Sequence, residues 1–305
     1  MVGGGGPPAS LSDRSETFMS SEQLVNLVVT VTLVEMMVAI GLGVTLAELR
    51  AVAVNRGLLL RTTVANYVVV PAIAILLLIL FRAQALVGAG ILILAVCPGA
   101  PFGPPCAGLA RGNVVTAVGL MAFLAASSAI VAPLILPILL PLVAGDQPLG
   151  VDVLGIVRTL FVTQLLPLCL GVAVRHWYPT VAGRLKSPAD RASAVLSLVT
   201  FGLVLAVQFS TLRAIRLTGM VGMLLLLAST LAIGWVLGGP AAADRRTHAL
   251  TTSLRNVGVG LVIATRAFGG TPAVTAALAY GLVEIIGSVM VALWWRAWGR
   301  AEESR

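Results

Sequence analysis

Along this chain, apolar runs of about twenty residues alternate with short polar stretches. The runs fall at about 24–46, 57–81, 85–111, 114–143, 150–174, 192–211, 217–240, 247–265 and 272–297. Twenty apolar residues in helical conformation match the thickness of a bilayer core, so the pattern predicts an all-α membrane protein with about nine transmembrane helices. Two of the runs are interrupted. In the third, Cys97-Pro98-Gly99-Ala100-Pro101-Phe102-Gly103-Pro104-Pro105 places four prolines and two glycines in nine residues, and a helix cannot pass through them. In the eighth, Thr251-Thr252-Ser253-Leu254-Arg255-Asn256-Val257-Gly258-Val259-Gly260 packs hydroxyls, a guanidinium, an amide and two glycines into an apolar setting.

A broken helix at membrane depth survives only where protein or a polar cavity satisfies its backbone groups, which makes both breaks candidate sites. Pro104 and Pro105 suit the first turn of a new half-helix, whose free N–H groups favour an anion. The alternative is a tight loop outside the membrane between two short helices. An arginine at the centre of a membrane helix costs about 2.5–3.5 kcal/mol on insertion scales, so Arg255 implies either a buried polar cavity or a side chain that snorkels to an interface. Two carboxylates also lie inside apolar runs, Glu35 and Glu284. Each is a natural partner for Arg255, either as a structural ion pair or as part of a transport site. Ser127 and Ser128 sit in the fourth run, where membrane serines commonly bond their own helix.

The order of the runs suggests a repeat. The first four read plain, plain, broken, long, over about 24–143; the last four read plain, plain, interrupted, long, over about 192–297. With one odd segment between them the two copies enter the membrane from opposite faces, the inverted-topology design of secondary transporters. Residues 1–22, rich in Gly, Pro and Ser, read as a disordered tail. Residues 23–298 read as the transmembrane domain and 299–305 as a cytoplasmic tail.

Composition sharpens this picture. The chain is 58% hydrophobic and 10% charged over 305 residues, with a mean hydropathy of +1.02, which excludes a soluble domain. Its net charge of +8 is almost all arginine and sits between apolar runs. That is a topology signal and not a nucleic-acid surface. Arg50, Arg56, Arg61, Arg111, Arg175, Arg184, Lys186, Arg191, Arg245 and Arg246 fall on one side, which the positive-inside rule makes cytoplasmic. The N-terminus is then outside and the C-terminus inside, in the cell's inner membrane. Cys97, Cys106 and Cys169 show no metal or disulfide spacing and read as small core residues; His176 and His248 read as loop residues. No metal site and no cofactor are expected, and the isolated carboxylates give no basis for an enzyme.

Cys97-Pro98-Gly99, followed by Leu109-Ala110-Arg111-Gly112-Asn113, resembles the crossing-helix motif of the bile acid:sodium symporter (BASS) family. Arg255-Asn256 falls where that family typically has Gln-Asn, and the long segment with Pro133-Leu134-Ile135-Leu136-Pro137 matches in placement. The resemblance implies a core domain holding two crossing broken helices, a flatter panel domain, and an organic anion carried between them with sodium by alternating access. The departures are at the ions. The family's Ser-Asn after the first break falls on Gly103-Pro104, its glutamate on Thr251 and its glutamine on Arg255, while Asn256 and Ser128 keep the expected chemistry. The sodium role therefore does not carry over. Protons are the available substitute, with Glu35 and Glu284 as carriers.

The sequence thus predicts a secondary transporter of a small organic anion. Its candidate binding residues are Gly103, Pro104, Ser128, Thr251, Arg255, Asn256, Glu284 and Glu35. Its partners are that anion and membrane lipid, with no nucleic acid, and the sequence leaves the oligomeric state open. Two alternatives are a sensor that binds without transporting, and a membrane-embedded lipid enzyme.

Overall fold

The computed structural model describes residues 21–144, 152–213 and 215–303. The expected tail over 1–22 lies outside the described residues up to 20, as do residues 304 and 305 of the expected C-terminal tail. All regular structure among the described residues is helical. The helices are α1 (Ser21–Gly43), α2 (Leu46–Val54), α3 (Arg56–Val64), α4 (Val70–Leu80), α5 (Ala85–Ala95), α6 (Gly103–Leu109), α7 (Val114–Leu139), α8 (Pro141–Ala144), α9 (Val153–Leu160), α10 (Leu166–Trp177), α11 (Pro179–Arg213), α12 (Leu217–Leu237), α13 (Ala242–Ser253), α14 (Val257–Phe268) and α15 (Pro272–Glu303).

Among the described residues, seven helical stretches are long and apolar enough to cross a membrane. Two of them, Arg56–Leu80 and Val153–Trp177, contain a π turn, at Ala65–Val69 and Phe161–Leu165. Each π turn comes just before a proline, Pro71 or Pro167. A proline has no donor and crowds the carbonyl four residues back, and the wider turn gives that carbonyl room. Pro133 and Pro137 lie inside α7, which runs unbroken. Many outward-facing side chains on these helices are large and apolar, among them Leu76, Leu80, Leu154, Leu198 and Val236, a surface suited to lipid.

The sixth segment differs from expectation. It begins at Pro179 instead of about 192, because the Arg184–Arg191 stretch, read as a loop from its charges, continues the helix with most of those charges exposed. A helix leaving the bilayer needs no apolar residues, and Lys186 pairs with Asp190 one turn on.

Two sets of helix contacts position the site. In one, α1 packs along α10 and α11. There Gly41 and Gly171 let backbones touch, since a Cβ on Gly41 would lie 2.8 Å from the Gly171 Cα; small residues permit such approaches in membranes. In the other, α5 packs along α15, and α12 along α13. The two interrupted segments cross within this second group, α5 against α14 and α6 against α13.

Candidate functional site

The first break begins where α5 ends at Ala95. Gly99 turns the chain with φ of +95°, and it packs so closely on α7 that a Cβ there would lie 2.7 Å from the Ala125 Cα. Pro104 and Pro105 occupy the first turn of α6, as expected, but α6 has only seven residues. Its far end accounts for the Leu109–Asn113 motif. Arg111 adopts a positive φ of 57°, the Gly112 N–H donates to the Ala107 carbonyl at 2.8 Å, and the Asn113 side chain caps α7 by accepting from the Thr116 N–H. The Asn113 N–H in turn donates to Thr247 Oγ1 on α13 at 2.7 Å. The motif therefore anchors α6 on the second broken segment.

The second break is shorter, three residues between Ser253 and Val257. Pro98 and Arg255 face each other as a single antiparallel bridge, and the Asn256 N–H donates to the Cys97 carbonyl at 2.7 Å. Asn256 Nδ2 reaches the Gly99 carbonyl at 3.3 Å, while its Oδ1 accepts from the Val259 N–H. Asn256 thus caps α14 and clasps the first break with one side chain. Thr251, also buried, donates to the Thr247 carbonyl at 3.0 Å. Its methyl group lies against Gly103, where an added Cβ would be 3.5 Å away.

Arg255 is 1% exposed. Its Nη1 donates to the Ala95 carbonyl at 3.3 Å and its Nη2 to the Thr252 carbonyl, so neither a membrane interface nor a carboxylate receives the charge. Glu284 lies beside it, fully buried, with Oε1 accepting from the Arg255 backbone N–H at 2.8 Å. The expected guanidinium–carboxylate pair is absent; Glu284 Oε2 and Arg255 Nε have no hydrogen-bond partner. Glu35 belongs elsewhere. It is half-buried on α1 and accepts from Ser193 Oγ on α11 at 2.6 Å. Ser128 donates to its own helix at Ala125 and accepts from Gln164 Nε2 at 3.0 Å.

Between the crossing and the α1–α11 face lies a cavity of about 620 Å³. Its walls include Pro101, Phe102, Pro104 and Pro105 from the first break and Ser193 and Ser197 from α11, and Lys186 and Asp190 also line it. A narrower pocket shares Met36, Pro101, Phe102 and Ser197 with it and is lined also by Thr32, Thr200, Arg255 and Asn256. The hydroxyls of α11 were not among the residues singled out from sequence. Ser193, Ser197 and Thr200 follow a spacing of four and three, which puts them on one helix face, and that periodicity was the available signal. Thr32 Oγ1 lies 2.7 Å from Thr200 Oγ1, tying α1 to the same face.

Other expectations need correcting. His248 is buried, not in a loop, because the second interrupted segment starts at Ala242; its ring joins Thr62 Oγ1 at 2.9 Å to the Gly234 carbonyl at 3.1 Å. His176 is exposed but lies in the last turn of α10, not in a loop. Cys97 and Cys106 are buried, whereas Cys169 is exposed, since it lies on the outward face of α10. Among the described residues, no three His, Cys, Asp or Glu side chains could hold a metal ion together.

Comparison with known proteins gives a consistent result. Residues 30–235 match the sodium bile acid symporter family. The chain is 27% identical over 263 residues to a protein of rice, Oryza sativa subsp. japonica, named probable sodium/metabolite cotransporter BASS1, chloroplastic, with 85% of this chain and 63% of that protein covered. It is 26% identical over 266 residues to the protein of the same name in Arabidopsis thaliana, covering 86% and 65%. A rice protein named probable sodium/metabolite cotransporter BASS2, chloroplastic, is 23% identical over 269 residues, covering 87% and 63%. The chain spans less than two thirds of the length of these relatives.

Proposed function

The chain belongs to the sodium bile acid symporter family, and from that premise we propose that it is a secondary transporter of a small organic anion, working by alternating access without sodium coupling of the usual kind. It acts as a carrier and not as an enzyme. In this reading the α1–α10–α11 group is the panel, the group holding the crossing is the core, and the anion binds between them. The two interrupted segments hold equivalent places in two inverted repeats, about 24–143 and 192–297.

The observation that carries the proposal is the cavity. Its volume of about 620 Å³ lies within the range of small-molecule sites, roughly 300–1,000 Å³. One wall is the crossing, the other the hydroxyl-bearing face of α11, and Arg255 lines the adjoining narrower pocket. A fixed positive charge in low dielectric favours an anion, and the Ser197 hydroxyl, which meets only the weak Met36 sulfur acceptor, could turn its proton to it. The cavity wall also includes Gly43, Gly108 and Lys186, next to the loops with the arginine excess. With the N-terminus outside and the C-terminus in the cytoplasm of the inner membrane, this conformation is open to the cytoplasm.

The residues here do not suit a sodium ion. Hard cations need several oxygen ligands in one shell. Gly103 and Pro104 offer no side-chain oxygen, and the Ala95 and Thr252 carbonyls face the Arg255 guanidinium, whose charge repels a second cation.

The test is binding and counterflow of labelled cholate, benzoate and a short alkyl sulfonate in proteoliposomes, with sodium or choline as the cation. Saturable binding with counterflow in both salts is expected. Binding without counterflow would make the protein a sensor, and uptake that collapses in choline would end the sodium-independent reading.

A further inference from the structure

We infer that the guanidinium of Arg255 is a resident cation, seated where the two broken helices present their carbonyl ends to each other, so that the crossing is assembled without a dissolved ion. The inference rests on the anion-carrier reading and deepens it by naming what supplies the positive charge.

The argument begins with the helix ends. The last carbonyls of a helix have no intrahelical donor and carry the negative end of its dipole. At this crossing two such ends converge. Ala95 closes α5, and Thr252 lies in the last turn of α13. Lipid cannot satisfy these carbonyls, and a cation between them would. Arg255 is that cation, because one planar group donates to both ends at once, Nη1 to Ala95 and Nη2 to Thr252. Its backbone is fixed from two further directions, by the bridge to Pro98 and by the N–H given to Glu284. The side chain therefore leaves from a clamped Cα and has little freedom to vacate the seat.

The geometry separates this role from an ion pair. A guanidinium matched to a carboxylate makes two parallel hydrogen bonds, yet here the carboxylate takes the backbone N–H and leaves Oε2 without a partner. The fork of the guanidinium is spent on helix ends. A sodium ion about 4 Å from it would lose roughly a thousandfold in affinity at an effective dielectric of 20. Since arginine stays charged in nearly any environment, the seat is permanently filled.

The experiment uses the full chain purified in detergent, with thermal unfolding and equilibrium binding of radioactive sodium as readouts. The wild-type protein should show no saturable sodium binding and the same midpoint in sodium, potassium and choline chloride. Arg255→Ala should lower the midpoint. Methylguanidinium or sodium should then recover about 5 °C of it, a typical response when a vacated site is filled at high occupancy, and choline should recover none. Saturable sodium binding by the wild type overturns the inference. So does an Arg255→Ala protein as stable as the wild type and indifferent to every cation. If Arg255→Ala does not accumulate, Arg255→Lys decides, because it keeps the charge: sodium indifference supports the resident cation and acquired sodium binding overturns it. The anion-carrier reading is judged apart, by anion binding to the wild type, which can fail while the cation measurements succeed.

Discussion

Glu284 accepts its hydrogen bond from the backbone N–H of Arg255 at 2.8 Å, while the guanidinium of the same residue turns to the Ala95 carbonyl. The two residues touch through the backbone, with no hydrogen bond between guanidinium and carboxylate. Removing one partner of a true buried ion pair strands the other and costs about 3–5 kcal/mol. Here Glu284→Gln keeps an oxygen to accept the same N–H, and Arg255→Gln leaves that bond in place. The double-mutant coupling should therefore be about 1 kcal/mol or less, measured by denaturant titration in mixed micelles. A coupling of several kcal/mol would restore the ion pair.

Gly99 and Gly183 make a contrasting pair. Gly99 has φ of +95°, and an added Cβ would come within 2.9 Å of the Leu124 carbonyl carbon, in backbone that cannot move aside. Gly99→Ala should destabilise by roughly 2–4 kcal/mol, the sum of left-handed strain and a backbone clash. Gly183 is exposed within α11, with nothing within 4 Å of an added Cβ, so Gly183→Ala should stabilise by up to about 1 kcal/mol through helix propensity. Thermal midpoints moving in the same direction would contradict the packing described at the crossing.

Much of this architecture was legible in the chain. Apolar runs of bilayer length located every long helix, and prolines and glycines located both breaks, because hydrocarbon leaves the backbone so few alternatives. What escaped notice depended on direction. Arg255, Glu284 and Glu35 stood out as ionisable residues in apolar runs, but spacing along the chain could not say that Glu284 meets a backbone N–H or that Glu35 meets Ser193 across two helices. Likewise Ser193, Ser197 and Thr200 are small polar residues that membrane helices often absorb internally, and only the packing of α11 against α1 turns their shared face toward the cavity. The start of α11 was misplaced because a helix outside the bilayer carries no apolar signature.

The same face of α11 supplies an accessibility test. Cys97 and Cys106 are buried, and Cys169 faces outward within the membrane-spanning Val153–Trp177 stretch, so little labelling by a water-soluble maleimide is expected in the wild type and none after Cys169→Ser. In that background Ser193→Cys should be labelled from the cytoplasmic side, because the residue lines the large cavity. A bound anion should slow that labelling severalfold. Ser187→Cys, at an exposed position in the charged part of α11, should be labelled with no anion effect. Equal protection at both positions would move the anion out of the cavity.

A cation that never leaves has an electrical consequence. On the carrier reading proposed above, Arg255 would cross with the core in the loaded step and return with it in the empty step, so its charge would cancel over a cycle. The net charge moved per turnover is then that of the anion. At 100 mV, inside negative, one elementary charge is worth about 2.3 kcal/mol, enough to hold roughly a fiftyfold anion gradient directed outward. Proteoliposomes preloaded with labelled anion should therefore empty faster when a potassium gradient with valinomycin makes the interior negative. They should retain the anion when the polarity is reversed, with sodium making no difference in either case. Proton carriage by Glu284 or Glu35 makes the opposite prediction, because an anion that travels with a proton carries no net charge. Its flux would follow a pH gradient and ignore the potential, and Glu284→Gln or Glu35→Gln would abolish the pH response. Efflux that tracks pH and is blind to valinomycin would assign coupling to a carboxylate and leave Arg255 a purely architectural part.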